Sequence, residues 1–143
     1  MSSLLERAEA DIHIAKLLLS PLGNPTNDEM ITEQAAYHIQ QAIEKAMKYQ
    51  TERLGIPYKK IHNLSGLIAD LEMNHFTVSD ELKSKAYIIS DWEASSRYND
   101  DFFVLKNDLE DGIRLYEELR AQIEQWREDE HDGKGDGVRT GIN

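Results

Sequence analysis

The sequence predicts an all-α protein: an antiparallel up-and-down four-helix bundle with one additional short helix. Two observations carry this. Apolar residues recur at steps of three and four along most of the chain, and strand-type alternation is absent. The prolines, Pro21, Pro25 and Pro57, fall at breaks in that periodicity, and none follows Pro57. With 143 residues, 40% of them apolar and 30% charged, the chain has the size and composition of one domain around one core.

The first helix opens at a Ser3-x-x-Glu6 capping box and carries Leu5, Ala8, Ile12, Ala15 and Leu19 on one stripe. Asp11 lies within that stripe, so it is expected to be partly buried and to need a hydrogen-bonding partner. Two prolines and a Gly-Asn pair make residues 21–26 a loop. Thr26-x-x-Glu29 reads as a second capping box. The helix behind it runs to about Leu54, where Gly55 and Pro57 form a stop signal. At about 1.5 Å per residue it spans roughly 40 Å, a full side of a bundle. Its buried stripe is Ala35, Ile39, Ala42, Ala46 and Tyr49.

A short third helix carries Ile61, Leu64, Ile68 and Leu71. A fourth starts near Thr77–Ser79 with Leu82, Ala86 and Ile89 facing inward, and Trp92–Asp101 reads as irregular. In the last helix Leu105, Leu109, Gly112, Tyr116, Leu119, Ile123 and Trp126 keep a regular helical step. A glycine inside a helix costs about 1 kcal/mol against alanine, so Gly112 is expected to mark a close helix–helix contact. Four of the eight glycines lie beyond His131. The expected division is therefore a helical domain over 1–130 and a flexible tail over 131–143.

Composition excludes several classes of function. Without cysteine there is no disulfide, thiolate metal site or cysteine nucleophile. No apolar run approaches the ~20 residues of a membrane span, and the expected location is the cytoplasm. A formal charge of −11 argues against a general nucleic-acid coat but leaves room for a local basic site. The di-metal spacing Glu-x-x-His occurs at Glu72…His75 and Glu128…His131, in both cases at a helix end or in the tail, where the side chains cannot converge on a bundle core. No metal and no cofactor are expected.

One local basic site is visible. Gln34, His38, Gln41, Lys45 and Lys48 form a ridge beside the buried stripe of the second helix. An imidazole, amides and two ammonium groups suit a phosphate and a base edge, whereas the bland alternative is a solvated flank with an i,i+4 Glu44–Lys48 pair. Between Glu44 and Lys60 five basic residues face two acidic ones, while Asp91–Asp111 holds seven acidic and two basic.

These residues, in this order, resemble the HEPN domain family. The resemblance begins with Ala8-x-x-Asp11 and Ala15-Lys16-Leu17-Leu18, and is strongest along Ala35-Ala36-Tyr37-His38-Ile39-Gln40-Gln41-Ala42-Ile43-Glu44-Lys45-Ala46-Met47-Lys48. It continues through Gly55, His62-Asn63-Leu64-x-x-Leu67 and Arg97-Tyr98, covering roughly residues 4–126. The resemblance implies a helical bundle that pairs into homodimers. Many members are metal-independent ribonucleases marked by Arg, four to six residues, then His in the second half of the domain; in that chemistry the histidine moves a proton and the arginine holds phosphorane charge. Here Arg97 is followed by Tyr, Asn, Asp, Asp, Phe, Phe and Val, with no histidine at that distance. Arg7…His13 has the spacing, but on the first helix.

The expected function is thus a non-catalytic HEPN-type module that binds a nucleotide or RNA end as a homodimer. His38, Gln41, Lys45 and Lys48 would supply the contacts, with His62, Arg97 and Tyr98 closing the site. Two alternatives stand beside it: a helical partner of a nucleotidyltransferase-like protein, as in toxin–antitoxin pairs, and a metal-independent ribonuclease with a non-standard site. Self-association has its own sequence argument. Ala36, Ile43, Met47 and Leu54 on the second helix, and Phe102, Ile113 and Leu115 near or on the last, lie outside the main stripes, and such an excess predicts a second contact surface.

Overall fold

The computed structural model of the chain describes residues 3–57, 63–98 and 104–136, with side chains over 3–57, 63–93 and 104–126. It is all-helical across them: α1 (Leu4–Leu19), α2 (Glu29–Arg53), α3 (Leu64–Met73), α4 (Asp80–Tyr98) and α5 (Lys106–Asp136). The expected all-α bundle with one short helix is what the chain forms, α3 being the short one. Residues 131–136 continue α5, and the rest of the expected tail, 137–143, lies outside the described residues.

Local chemistry explains most helix ends. At α1 the reciprocal box is complete: Glu6 N donates to Ser3 Oγ at 3.1 Å and Ser3 N to Glu6 Oε1 at 2.7 Å. The start of α2 differs from the expected Thr26 box. Asp28 is the cap, its carboxylate accepting from Met30 N at 2.7 Å. Asn24 bonds the backbone N–H and C=O of Asp28 through its own side chain, and Asn27 turns the chain at φ 55°. Those bonds hold Asp28 against the first turn. Gly55, at φ 71°, follows α2 in the left-handed conformation that glycine adopts without strain. Asn63 caps α3 by accepting from Gly66 N at 2.7 Å.

Helix α4 corrects a second expectation. It continues through Tyr98, so residues 92–98 are helical rather than irregular, and Trp92 is buried. The serines that suggested a break reduce helix propensity only slightly, and the packing of Trp92 against α2 and α5 outweighs that.

The core is built on α2, which packs against α1, α3, α4 and α5. Two of its faces are therefore covered. Ala35, Ile39, Ala42 and Ala46 are fully buried, and so are Ala36, Ile43 and Met47. Most of the apolar excess that predicted a second contact surface is buried within the chain, Leu115 on α5 included, while Leu54 and Ile113 are only partly buried; Phe102 lies outside the described residues. Alanines at 8 and 15 on α1 and at 35, 42 and 46 on α2 let the first two helices approach closely.

Candidate functional site

Asp11 organises the flank between α1 and α2. It is 8% exposed, on the inward edge of α1. One carboxylate oxygen lies 2.8 Å from His38 Nδ1, and the other accepts from Lys45 Nζ at 2.6 Å. His38 and Lys45 are seven residues apart, two turns of α2, so they bracket the carboxylate from the same side. A carboxylate against Nδ1 favours the proton on that nitrogen and leaves Nε2 as the acceptor. The side chains of His38 and Lys45 keep 23% and 29% exposure, against 11% for Asp11. The cluster is anchored on its inner side and open on its outer side.

The other half of the ridge is a hydrogen-bonded chain along α2. Gln41 Nε2 donates to Gln40 Oε1 at 2.7 Å, and Gln40 Nε2 donates to Glu44 Oε1 at 2.8 Å. Glu44 Oε2 in turn holds Lys48 Nζ at 2.7 Å. Both ammonium groups of the ridge therefore have a carboxylate partner from the same chain. That separates the geometry from a bare cationic groove, and it fixes Lys45 and Lys48 in place.

On the opposite side of α1, Glu9 joins α5. Tyr116, whose ring is fully buried, donates its hydroxyl to Glu9 Oε2 at 2.5 Å, and Arg120 reaches the same oxygen at 2.6 Å. Burial alone would raise the Glu9 pKa, but the hydrogen bonds from Tyr116 and Arg120 outweigh it and hold the carboxyl below its ordinary range. Burial, with Glu9 beside it, pushes the Tyr116 phenol far up. This network holds helices together and leaves Tyr116 a neutral donor.

A family model described as HEPN domain matches residues 1–126. The chain belongs to the HEPN family. No curated protein and no solved structure matches it. Of the site residues expected for this HEPN domain, the structure brings His38 and Lys45 together through Asp11, and links Gln41 to Lys48 through Gln40 and Glu44. His62 lies outside the described residues. Arg97 and Tyr98 belong to the last turn of α4, and their side chains lie outside the described ones.

Two features were not anticipated. Arg53 Cζ lies 5.1 Å from the Trp126 ring centroid and 5.5 Å from that of Tyr49, a guanidinium between two aromatic rings. The i,i+4 spacing of Tyr49 and Arg53 was its only trace in the sequence. Gln50 is fully buried on α2, and neither atom of its amide has a hydrogen-bond partner among the described residues. Nothing in the structure explains that amide. Among the described residues no group of three or more His, Asp or Glu could hold a metal ion, and no helix is long and apolar enough to cross a membrane.

Proposed function

We propose that this HEPN domain is a non-catalytic module that binds a phosphate-bearing ligand, a nucleotide or RNA end, on the α1–α2 flank. The observation that carries the reading is the Asp11–His38–Lys45 cluster. Its outer groups are held from within and about a quarter exposed, the Lys45 ammonium offering a donor to a phosphate and His38 Nε2 an acceptor to a ligand hydroxyl or amine, so binding costs little side-chain entropy. Gln41 and Lys48, one turn either side of Lys45, extend the surface along α2. The family's habit of pairing supports a homodimer, which would set two such flanks in one assembly.

Titration of nucleotides and short RNAs at low and high salt tests the reading. Few ammonium groups are involved, so affinity should fall only severalfold between about 50 and 200 mM salt, a shallow slope for a nucleic-acid contact. Light scattering on the same sample should return near twice 16.4 kDa. Absence of binding at low ionic strength would refute the site, and a mass near one chain would refute the dimer.

One specific observation favours a catalytic second reading. A carboxylate on His38 Nδ1 orients the imidazole with Nε2 outward, the arrangement a general base needs, and Lys45 stands within the same cluster. His38 would then accept the proton of an RNA 2′-hydroxyl while Lys45 met the phosphorane charge. The expected result for this reading is RNA cleavage in EDTA that drops about 100-fold or more in His38→Ala. No cleavage by the wild-type chain leaves binding as the activity of this flank.

A further inference from the structure

The cluster on the α1–α2 flank joins one carboxylate to two groups that can each be cationic. Asp11 is 8% exposed, with one oxygen 2.8 Å from His38 Nδ1 and the other 2.6 Å from Lys45 Nζ. With His38 neutral, the carboxylate and the ammonium cancel, and the cluster holds no surplus positive charge. Nε2 of the neutral ring then presents a lone pair outward, which repels a phosphate oxygen. In that state the flank is a weak anion site.

One proton on His38 changes both features. Nε2 becomes an N–H donor, and the charged ring gives charge-assisted hydrogen bonds from both nitrogens. Nδ1 stays on Asp11, so the new donor is fixed on the outer side, where the side chain keeps 23% exposure. Lys45 gains as well. Its ammonium carries three donors on a flexible stem, and an Asp11 charge already met by imidazolium leaves them to a ligand. The surroundings of the ring allow this. Asp11 from α1 and Lys45 from α2 are the charged groups of the cluster, and the Tyr37 ring stands edge-on to the imidazole at 5.3 Å. Farther along the flank, Arg7 lies one turn before Asp11 on α1, and Lys48 is paired with Glu44.

We infer that protonation of His38 regulates the α1–α2 flank: the neutral ring accepts from a ligand hydroxyl or amine, and the protonated ring makes the flank an anion site with two cationic arms, His38 Nε2 and Lys45 Nζ. This rests on the reading of the flank as a phosphate site and adds its control. Imidazole is the side chain that ordinarily takes up its proton between about pH 8 and pH 5. Over that range the proton and the anion bind together, and by linkage each strengthens the other.

The test is titration of the full chain with sulfate, whose charge stays constant over this range while that of phosphate changes. At constant ionic strength, calorimetry should show sulfate bound about tenfold tighter near pH 5.5 than near pH 8, with protons taken up from the buffer between them. By NMR, sulfate added near neutral pH should move the His38 ring signals toward their positions in acid. His38→Gln keeps a polar partner for Asp11 without a titrating group, and its sulfate affinity should be low and nearly independent of pH. Lys45→Gln should weaken sulfate binding about tenfold at the lower pH through loss of a charge-assisted hydrogen bond, and circular dichroism confirms the fold of both variants. The two ways of failing are distinct. Sulfate held through Lys45 with equal affinity at both pH values, or with the wild-type pH dependence in His38→Gln, overturns the regulation and leaves the flank a binding site. No sulfate binding at either pH, or binding indifferent to Lys45→Gln, overturns the site and its regulation together.

Discussion

Asp11→Ala is expected to destabilise the chain by about 1–3 kcal/mol and, at the same time, to strengthen binding of inorganic phosphate on the α1–α2 flank. The first effect follows from burial. Removing one member of a buried ion pair costs about 3–5 kcal/mol because the partner charge is stranded. Here both partners keep access to water, at 23% and 29% side-chain exposure, so they rehydrate and the cost falls toward the lower end. The second effect follows from competition. Asp11 now occupies the Lys45 ammonium and the His38 imidazole that an anion would use, and alanine releases both. Asp11→Asn keeps one acceptor oxygen without the charge, and should fall between wild type and alanine in urea unfolding. A purely structural carboxylate would give the stability loss with no change in phosphate affinity. A catalytic one would give loss of RNA cleavage in both variants.

That cluster also shows how far sequence could be read. Asp11 announced itself, because an acid between Ala8 and Ala15 on a buried stripe must find a donor. Its donors could not be named, since His38 and Lys45 lie 27 and 34 residues away and are brought close only by the packing of α1 on α2. The helices themselves were legible wherever one face is buried and the step of three and four survives. Boundaries were not. Thr26 and Asp28 are both competent caps, and the Asn24 side chain, which bonds the backbone of Asp28, decides between them. The residues after Trp92 lost their apolar period and looked irregular, yet tertiary contact at Trp92 carries α4 onward. The apolar excess on α2 pointed to a partner because a helix in a lone four-helix bundle shows one face. α2 is instead central, and its second face meets its own chain. The Arg53 stack joins residues 73 positions apart, Arg53 and Trp126, and no local pattern could reveal it.

Gly112→Ala is expected to destabilise the chain by about 1–2 kcal/mol, although alanine is the better helix former. Propensity alone would stabilise by up to about 1 kcal/mol. Against this, a Cβ at position 112 would lie 2.9 Å from Ile39 Cγ2 and 3.2 Å from Trp92 Cζ3. Ile39 is fully buried, whereas Trp92 borders a space of about 90 Å³ that Gly112 also lines, so the indole can give way and the isoleucine side carries most of the clash. Overpacking against a buried side chain costs about 1–3 kcal/mol, and the approach to Ile39 makes it exceed the propensity gain. For a chain of this size the loss lowers the melting temperature by about 3–8 °C, with Gly112→Val larger still because its methyls enter the same space. The clash has a chemical signature that identifies its cause. Cγ2 is the branch that isoleucine carries at Cβ and leucine lacks. Gly112→Ala in an Ile39→Leu background should therefore cost about 1 kcal/mol less than in the wild type, a coupling that thermal or urea unfolding of the four proteins measures. Ile39→Val retains Cγ2 and should give no such relief. Equal costs in the leucine and valine backgrounds would place the strain at Trp92 instead, on the α4 side of the α2–α4–α5 contact.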